Sequence, residues 1–274
     1  MAYKFLGLPF FLLIVSYRSF FYGIGHTKIF LVSAIIVMVV HITFNFLLVF
    51  GNLGFPAMGL AGAGASSFIS MVIGALFFII VTFFREYRIT YSLFKHIRMS
   101  KDIIQQILKI SIPVSLQNVL ILLGFLIFVS VTGIIGTGEQ AASQVVISAL
   151  FISLTVVFGL GAAAQTLVGQ SLGRENPNRA QMYGFETARI CTFYTMIIGL
   201  IFILIPDLVL RIITNNDEII ALGKPLLQVA GLAQVLYGAG IIFAYSLQSA
   251  GATVYVMVVE VITHWLIFLP LTYI

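Results

Sequence analysis

Residues 28–50, KIFLVSAIIVMVVHITFNFLLVF, begin with one basic residue and then run to Phe50 with His41 and Asn45 as the strongly polar interruptions. A membrane-spanning helix needs about 20 predominantly apolar residues, so this stretch is long enough to cross a bilayer. Helices and closed β-barrels are the structures that satisfy backbone polar groups in lipid. A barrel strand would alternate in polarity over about ten residues, whereas here successive positions are apolar. The stretch reads as a helix.

Seven further runs of this kind lie at 5–24, 57–84, 103–135, 140–170, 180–206, 218–248 and 253–274. The fold class expected is therefore an all-α integral membrane protein, a polytopic helical bundle of about eight transmembrane helices. Composition agrees: 61% of the 274 residues are hydrophobic, 8% are charged, and mean hydropathy is +1.13. A soluble domain carries about 25% charged residues and could not hide so much apolar surface. Secreted disulfide scaffolds, cytoplasmic enzymes, nucleic-acid binders and disordered tails are excluded on this ground. The pI near 9.4 reflects basic loops rather than a nucleic-acid partner. The single cysteine, Cys191, cannot form an internal disulfide.

Basic residues orient the spans. The segment from Arg85 to Lys109 carries Arg85, Arg88, Lys95, Arg98, Lys101 and Lys109, and cytoplasmic loops hold the Lys/Arg excess. Alternation then places Lys28, Arg174 and Arg179 on the same side, with Lys4, Arg211 and Lys224 opposite. The expected location is the cell (inner or plasma) membrane, multi-pass, with the N-terminus outside. Residues 1–25 do not form an ordinary signal peptide, because Lys4 is a thin positive region, no A-x-A site follows, and Arg18 interrupts the apolar run.

A repeat is visible at a shift of 226 residues. Gly25-His26-Thr27 and Gly251-Ala252-Thr253 each join one long apolar helix to the next on the same predicted side. Repeats about an axis along the membrane normal occur in transporters. The unit implied is six helices, so a complete two-repeat protein has twelve.

The wording of several segments resembles the multidrug and toxic compound extrusion (MATE) transporters. Leu8-Pro9 with Tyr17-Arg18-Ser19-Phe20 and Gly23 to Thr27 is similar to that family's fourth helix. Asn45 to Gly51 and then Gly59 to Ala65 resemble its fifth helix running into its sixth. Ser111-Ile112-Pro113 resembles the opening of its seventh. Gly161 to Gly173 followed by Arg179-Ala180 is the most specific match, at the end of the eighth, and Leu247 to Thr253 is similar to the turn after the tenth. The resemblance covers essentially the whole chain and implies a two-lobe, 6+6 repeat transporter fold of which helices four to eleven are present. On that reading the chain is truncated. Residues 1–95 hold the C-terminal three helices of the first lobe plus a cytoplasmic linker, and 96–274 the first five helices of the second lobe.

Ionisable and polar groups inside lipid are costly and mark function by default. His41 and Asn45 stand one helical turn apart on one face; the resemblance implies a cavity-lining pair there, usually amides, so His41 introduces a group that titrates near pH 6.5. The plainer reading of the pair is hydrogen-bonded packing between helices. Ser66 sits at a position that the resemblance places in the same cavity. Glu260 is the acid well inside the last apolar run, about 10 Å from its start at 1.5 Å per residue. It reads either as a cation- or proton-binding group or as the partner of a neighbouring charge such as Arg189. Gln117 and Asn118 follow Pro113, near where many family members carry an acid; position 121 is Ile here, and the stretch around Tyr237 lacks the Asp that some members use. Glu186 and Arg189, three residues apart, form a pair able to neutralise each other, and Arg18 lies close enough to the cytoplasmic edge to snorkel. The candidate substrate- or cation-binding residues are thus His41, Asn45, Ser66, Gln117, Asn118 and Glu260, with no catalytic residue, metal ligand or cofactor expected. No Gly-x-x-x-x-Gly-Lys-Ser/Thr and no His-Glu-x-x-His occurs, so neither an ATP-driven motor nor a zinc enzyme is encoded by these motifs.

The function expected is a secondary active multidrug antiporter. It would exchange small organic, often cationic, compounds for H⁺ or Na⁺ by alternating access in the lipid bilayer, without nucleic acid or ATP. The alternatives are a lipid-linked oligosaccharide flippase of the same superfamily, disfavoured because few basic residues, Arg18 and Arg189 among them, lie within spans, and an inactive truncated fragment.

Overall fold

Among the described residues, eight helices are long and apolar enough to cross a membrane: Tyr3–Gly23, Thr27–Leu48, Leu60–Phe83, Lys101–Ile135, Thr137–Gly173, Pro177–Leu204, Asp217–Ser249 and Thr253–Leu271. The computed structural model describes residues 2–91 and 100–272. Lys95 and Arg98 of the expected basic loop lie outside the described residues, as do the side chains of Arg85 and Arg88.

The chain divides into two units, residues 1–99 and 100–274. In the first, α1 (Ala2–Gly23), α2 (Thr27–Leu48) and α3 (Leu60–Phe83) are followed by the short α4 (Arg85–Thr90). Helix α3 packs along both α1 and α2. At one end Phe21, Phe78, Val81 and Tyr87 form a buried cluster, with Tyr17 stacked on Phe78 at 5.5 Å. The helix contacts invert the soluble pattern. Ser33, Ser66, Ser70 and Thr82 are buried, whereas Leu31, Ile35, Met38, Ile42 and Phe46 stand exposed along α2. In lipid, small residues gain by close backbone approach and large apolar ones lose nothing by facing outward.

The second unit contains α5 (Lys101–Ile135), α6 (Thr137–Gly173), α7 (Pro177–Leu204), α8 (Pro206–Arg211), α9 (Asp217–Ser249) and α10 (Thr253–Ile262). A π-helical turn at Thr263–Phe268 and the short α11 (Leu269–Leu271) complete it. Helix α9 packs along both α6 and α7, and α5 pairs with α10. Two buried clusters fill the α6–α7–α9 core, one around Phe202, Leu210 and Leu227 and one around Val157, Cys191 and Ile242. At the α7–α9 crossing a Cβ on Gly231 would lie 2.9 Å from the Gly199 carbonyl oxygen, and a Cβ on Gly199 would strike the Gly231 carbonyl. Glycine is required there because backbone meets backbone.

Four sequence expectations are corrected. The break expected at 136–139 shrinks to Gly136, since α6 begins at Thr137. Pro113 does not open a helix but lies twelve residues inside α5. At 35 residues and 1.5 Å each, that helix greatly exceeds the hydrocarbon thickness, so it tilts or extends beyond it. The 206–217 connection holds α8, started by Pro206 at a position that needs no amide hydrogen. The last span is not uniform: Pro270 leaves the Leu266 carbonyl without its usual donor, and the turn before it relaxes to π geometry.

The 226-residue repeat has a structural counterpart. Gly25 and Gly251 both have φ of 85°. The His26 amide bonds the Phe21 carbonyl at 2.9 Å, and the Ala252 amide bonds the Leu247 carbonyl at 3.0 Å. Both are Schellman caps. The α6–α7 turn repeats the pattern, with Asn176 bonding Ser171 at 3.0 Å, but its left-handed residue is Glu175, φ 56°.

Candidate functional site

In the first unit, His41 and Asn45 lie on the face of α2 that meets α3. His41 Nε2 is 3.2 Å from Ser67 Oγ and 3.3 Å from Asn45 Nδ2. Ser66 is not part of this set: it is fully buried, and its hydroxyl donates to the Gly62 carbonyl at 2.7 Å. Ser67 donates its one proton to the Ala63 carbonyl at 3.0 Å, so toward His41 it can only accept. Asn45 Nδ2 can only donate, and needs a lone pair on the same Nε2. One nitrogen cannot serve both at once. With Nε2 unprotonated, Asn45 is satisfied at the nitrogen, and its buried Oδ1 has no hydrogen-bond partner. With Nε2 carrying the hydrogen, it donates to Ser67 Oγ or, once the Asn45 amide turns, to Asn45 Oδ1. The group therefore has two hydrogen-bond patterns, set by which ring nitrogen of His41 carries the hydrogen.

In the second unit, Gln117 on α5 is buried and donates from Nε2 to Glu260 Oε2 at 2.8 Å. Gln248, at the end of α9, donates from Nε2 to Gln117 Oε1 at 3.2 Å. Three helices thus converge on a directed chain, Gln248 to Gln117 to Glu260, that ends on a carboxylate. The Glu260 carbonyl accepts from His264 Nδ1 at 2.8 Å, and Trp265 Nε1 in the π-helical turn donates to the Leu120 carbonyl at 3.2 Å, tying that turn to α5. Asn118 is not brought to this cluster; it is exposed and bonds the Val114 carbonyl of its own helix at 2.8 Å. Nor does Glu260 pair with Arg189. That guanidinium bonds Glu186 at 2.6 Å, with both side chains more than half exposed. Arg18 lies over the Phe30 ring, 5.5 Å from its centroid.

Sequence reading missed three partners. Ser67 is distinguished from Ser66 only by helical phase relative to His41. Gln248 stands 131 positions from Gln117 and announces nothing locally. Gln234, 3% exposed, ties the core by accepting from Ser153 Oγ at 3.1 Å and donating to the Thr195 carbonyl at 3.4 Å; an amide in mid-span was its available signal.

Residues 113–274 match the MatE family model. The probable multidrug resistance protein NorM of Thermotoga maritima is 26% identical over 253 residues, covering 92% of this chain and 54% of the relative. A probable multidrug resistance protein NorM from Mesorhizobium japonicum is 30% identical over 271 residues, covering 96% and 58%. Among solved structures, a crystal structure of a MATE point mutant matches with TM-score 0.87 at 18% identity, covering 96% of this chain and 58% of that one. A point mutant of the Vibrio cholerae MATE transporter VcmN also matches at 0.87, with 14% identity and 98% and 60% coverage. The chain spans 54% and 58% of the length of these two curated relatives.

Proposed function

The chain belongs to the MatE family, and from that premise we propose that it acts within a secondary transporter that exchanges small organic, often cationic, compounds for H⁺ or Na⁺. Residues 1–95 serve as the last three helices of a first lobe with its linker, and 96–274 as five helices of a second lobe, the two lobes rocking to alternate access. The observation that carries the reading is Glu260, an acid inside an apolar span held by Gln117 with Gln248 behind it. A carboxylate so placed binds a proton, Na⁺ or a substrate cation in competition. The His41–Asn45–Ser67 group supplies a second polar site in the other unit.

The test is proton or cation displacement on the purified chain. Addition of an ethidium-type dye to a weakly buffered sample should release protons, or dye binding should weaken as Na⁺ rises. Glu260→Gln should suppress the response. Dye binding that is indifferent to both ions, or unchanged by Glu260→Gln, would overturn the proposal.

A further inference from the structure

At the α6–α7 turn a small cavity of about 100 Å³ is lined by Gln170, Ser171, Arg174, Asn176, Arg179 and Tyr183, together with Leu167. Its walls are mostly polar, unlike the lipid-facing grooves elsewhere on this unit. The two guanidinium groups are the notable part. Arg189, Arg211 and Lys224 in the same unit each reach a carboxylate within 4 Å, whereas Arg174 and Arg179, like Lys101 and Lys109, make no ion pair among the described residues, and of these four only the two arginines line this cavity. The adjacent acid, Glu175, is exposed and does not line the cavity. The start of α7 is already capped: Asn176 Oδ1 accepts the Arg179 amide at 3.0 Å. Recognition at this place therefore falls to side chains, not to free backbone amides.

We propose that this cavity is a binding site for a phosphate group, with Arg174 and Arg179 as its charged arms and the Tyr183 hydroxyl and Asn176 amide as neutral partners. Guanidinium forks match the tetrahedral oxygens of phosphate, which a point charge does not. The position suits the head group of an anionic phospholipid. The turn lies on the side where basic residues gather, such pockets between membrane helices accept lipid phosphates, and Tyr183 has the amphipathic ring that settles at the head-group level. A soluble phosphate would meet the same chemistry. The site is independent of the transport reading, since binding is read without any flux.

The experiment uses the 274-residue chain in a neutral detergent. It is titrated with short-chain phosphatidylglycerol, with phosphatidylcholine, and with inorganic phosphate, and binding is followed by thermal shift and by lipid retained in native mass spectra. The proposal predicts saturable binding of phosphatidylglycerol over phosphatidylcholine. Affinity should fall roughly thirtyfold in Arg174→Gln/Arg179→Gln, taking the usual contribution of a basic side chain at an anionic surface for each guanidinium. The charge-preserving pair Arg174→Lys/Arg179→Lys keeps the topological signal and the charge, and should lose the part of the affinity that comes from the guanidinium forks. Competition by inorganic phosphate at comparable concentration assigns the site to free phosphate; its failure to compete assigns it to the lipid head group. Equal binding of both lipids without phosphate binding, or full retention in the lysine pair, overturns the site.

Discussion

Replacing Gln117 by leucine removes the link at the centre of the chain that ends on Glu260, and its effect can be worked from the hydrogen bonds lost. The Gln117-to-Glu260 bond at 2.8 Å has a charged acceptor, worth about 1.5–3 kcal/mol, and the Gln248-to-Gln117 bond at 3.2 Å is a neutral one, worth about 1 kcal/mol. Leucine fills similar space, so the loss is polar rather than steric. Both former partners are left beside an apolar side chain, so the expected destabilisation is about 2.5–4 kcal/mol. For a unit of this size about 1 kcal/mol moves Tm by roughly 2–4 °C, which puts the expected drop at roughly 5–16 °C. Cys191 provides the assay. It is the single cysteine and is 0% exposed, so a maleimide fluorophore should react with it only on unfolding. A cycle with Glu260→Leu isolates the pair. If the bond is as described, the double variant should be less destabilised than the sum of the singles by about 1.5 kcal/mol or more. Strict additivity, or a Gln117→Leu shift under 2 °C, refutes the arrangement.

Three further outcomes are expected. Gly199→Ala should destabilise by about 1–2 kcal/mol, because its Cβ meets the Gly231 carbonyl and over-packing outweighs the gain in helix propensity; Gly240→Ala, with nothing within 4 Å, should stabilise slightly in the same Cys191 melt. Glu175→Gly should raise stability by up to about 1 kcal/mol, since it relieves a left-handed backbone at φ 56° at some cost in unfolded-state entropy. The Lys224 ammonium, 2.8 Å from Asp207, holds that carboxyl below its usual range, first by hydrogen bonding and then by charge. The pair's small stabilisation should be present above the ordinary carboxylate pKa and vanish as pH falls through the lowered value. Comparing melts of the wild type and Lys224→Met across pH 2–6 checks the sign.

Span number and position were legible because lipid imposes a single rule, about 20 apolar residues per crossing, and 28–50 or 57–84 cannot satisfy it by any other structure. The Gly25 and Gly251 turns were legible because left-handed caps favour glycine, whereas the α6–α7 cap, with Glu175 in that place, was not. What escaped depends on phase or distance. Ser66 and Ser67 are equivalent in composition, and 100° of helical rotation decides which meets His41. Arg189 was a reasonable partner for Glu260 by charge, yet Glu186 lies one turn away on its own helix and satisfies it locally. Gln248 became visible only when α9, α5 and α10 converged. Pro113 was read as a helix start from the family resemblance, but a proline inside a long helix is tolerated in membranes where neighbouring groups re-satisfy the freed carbonyl.

The central claim is that a cation gradient drives substrate movement through Glu260. Its most direct test is dye accumulation in inside-out vesicles from cells expressing the protein, energised by an imposed H⁺ or Na⁺ gradient. The account predicts accumulation that collapses when the driving gradient is dissipated and is lost in Glu260→Gln, with membrane insertion and the Cys191 melt retained. Dye movement that ignores both gradients, or persists at the wild-type rate in Glu260→Gln, would contradict it.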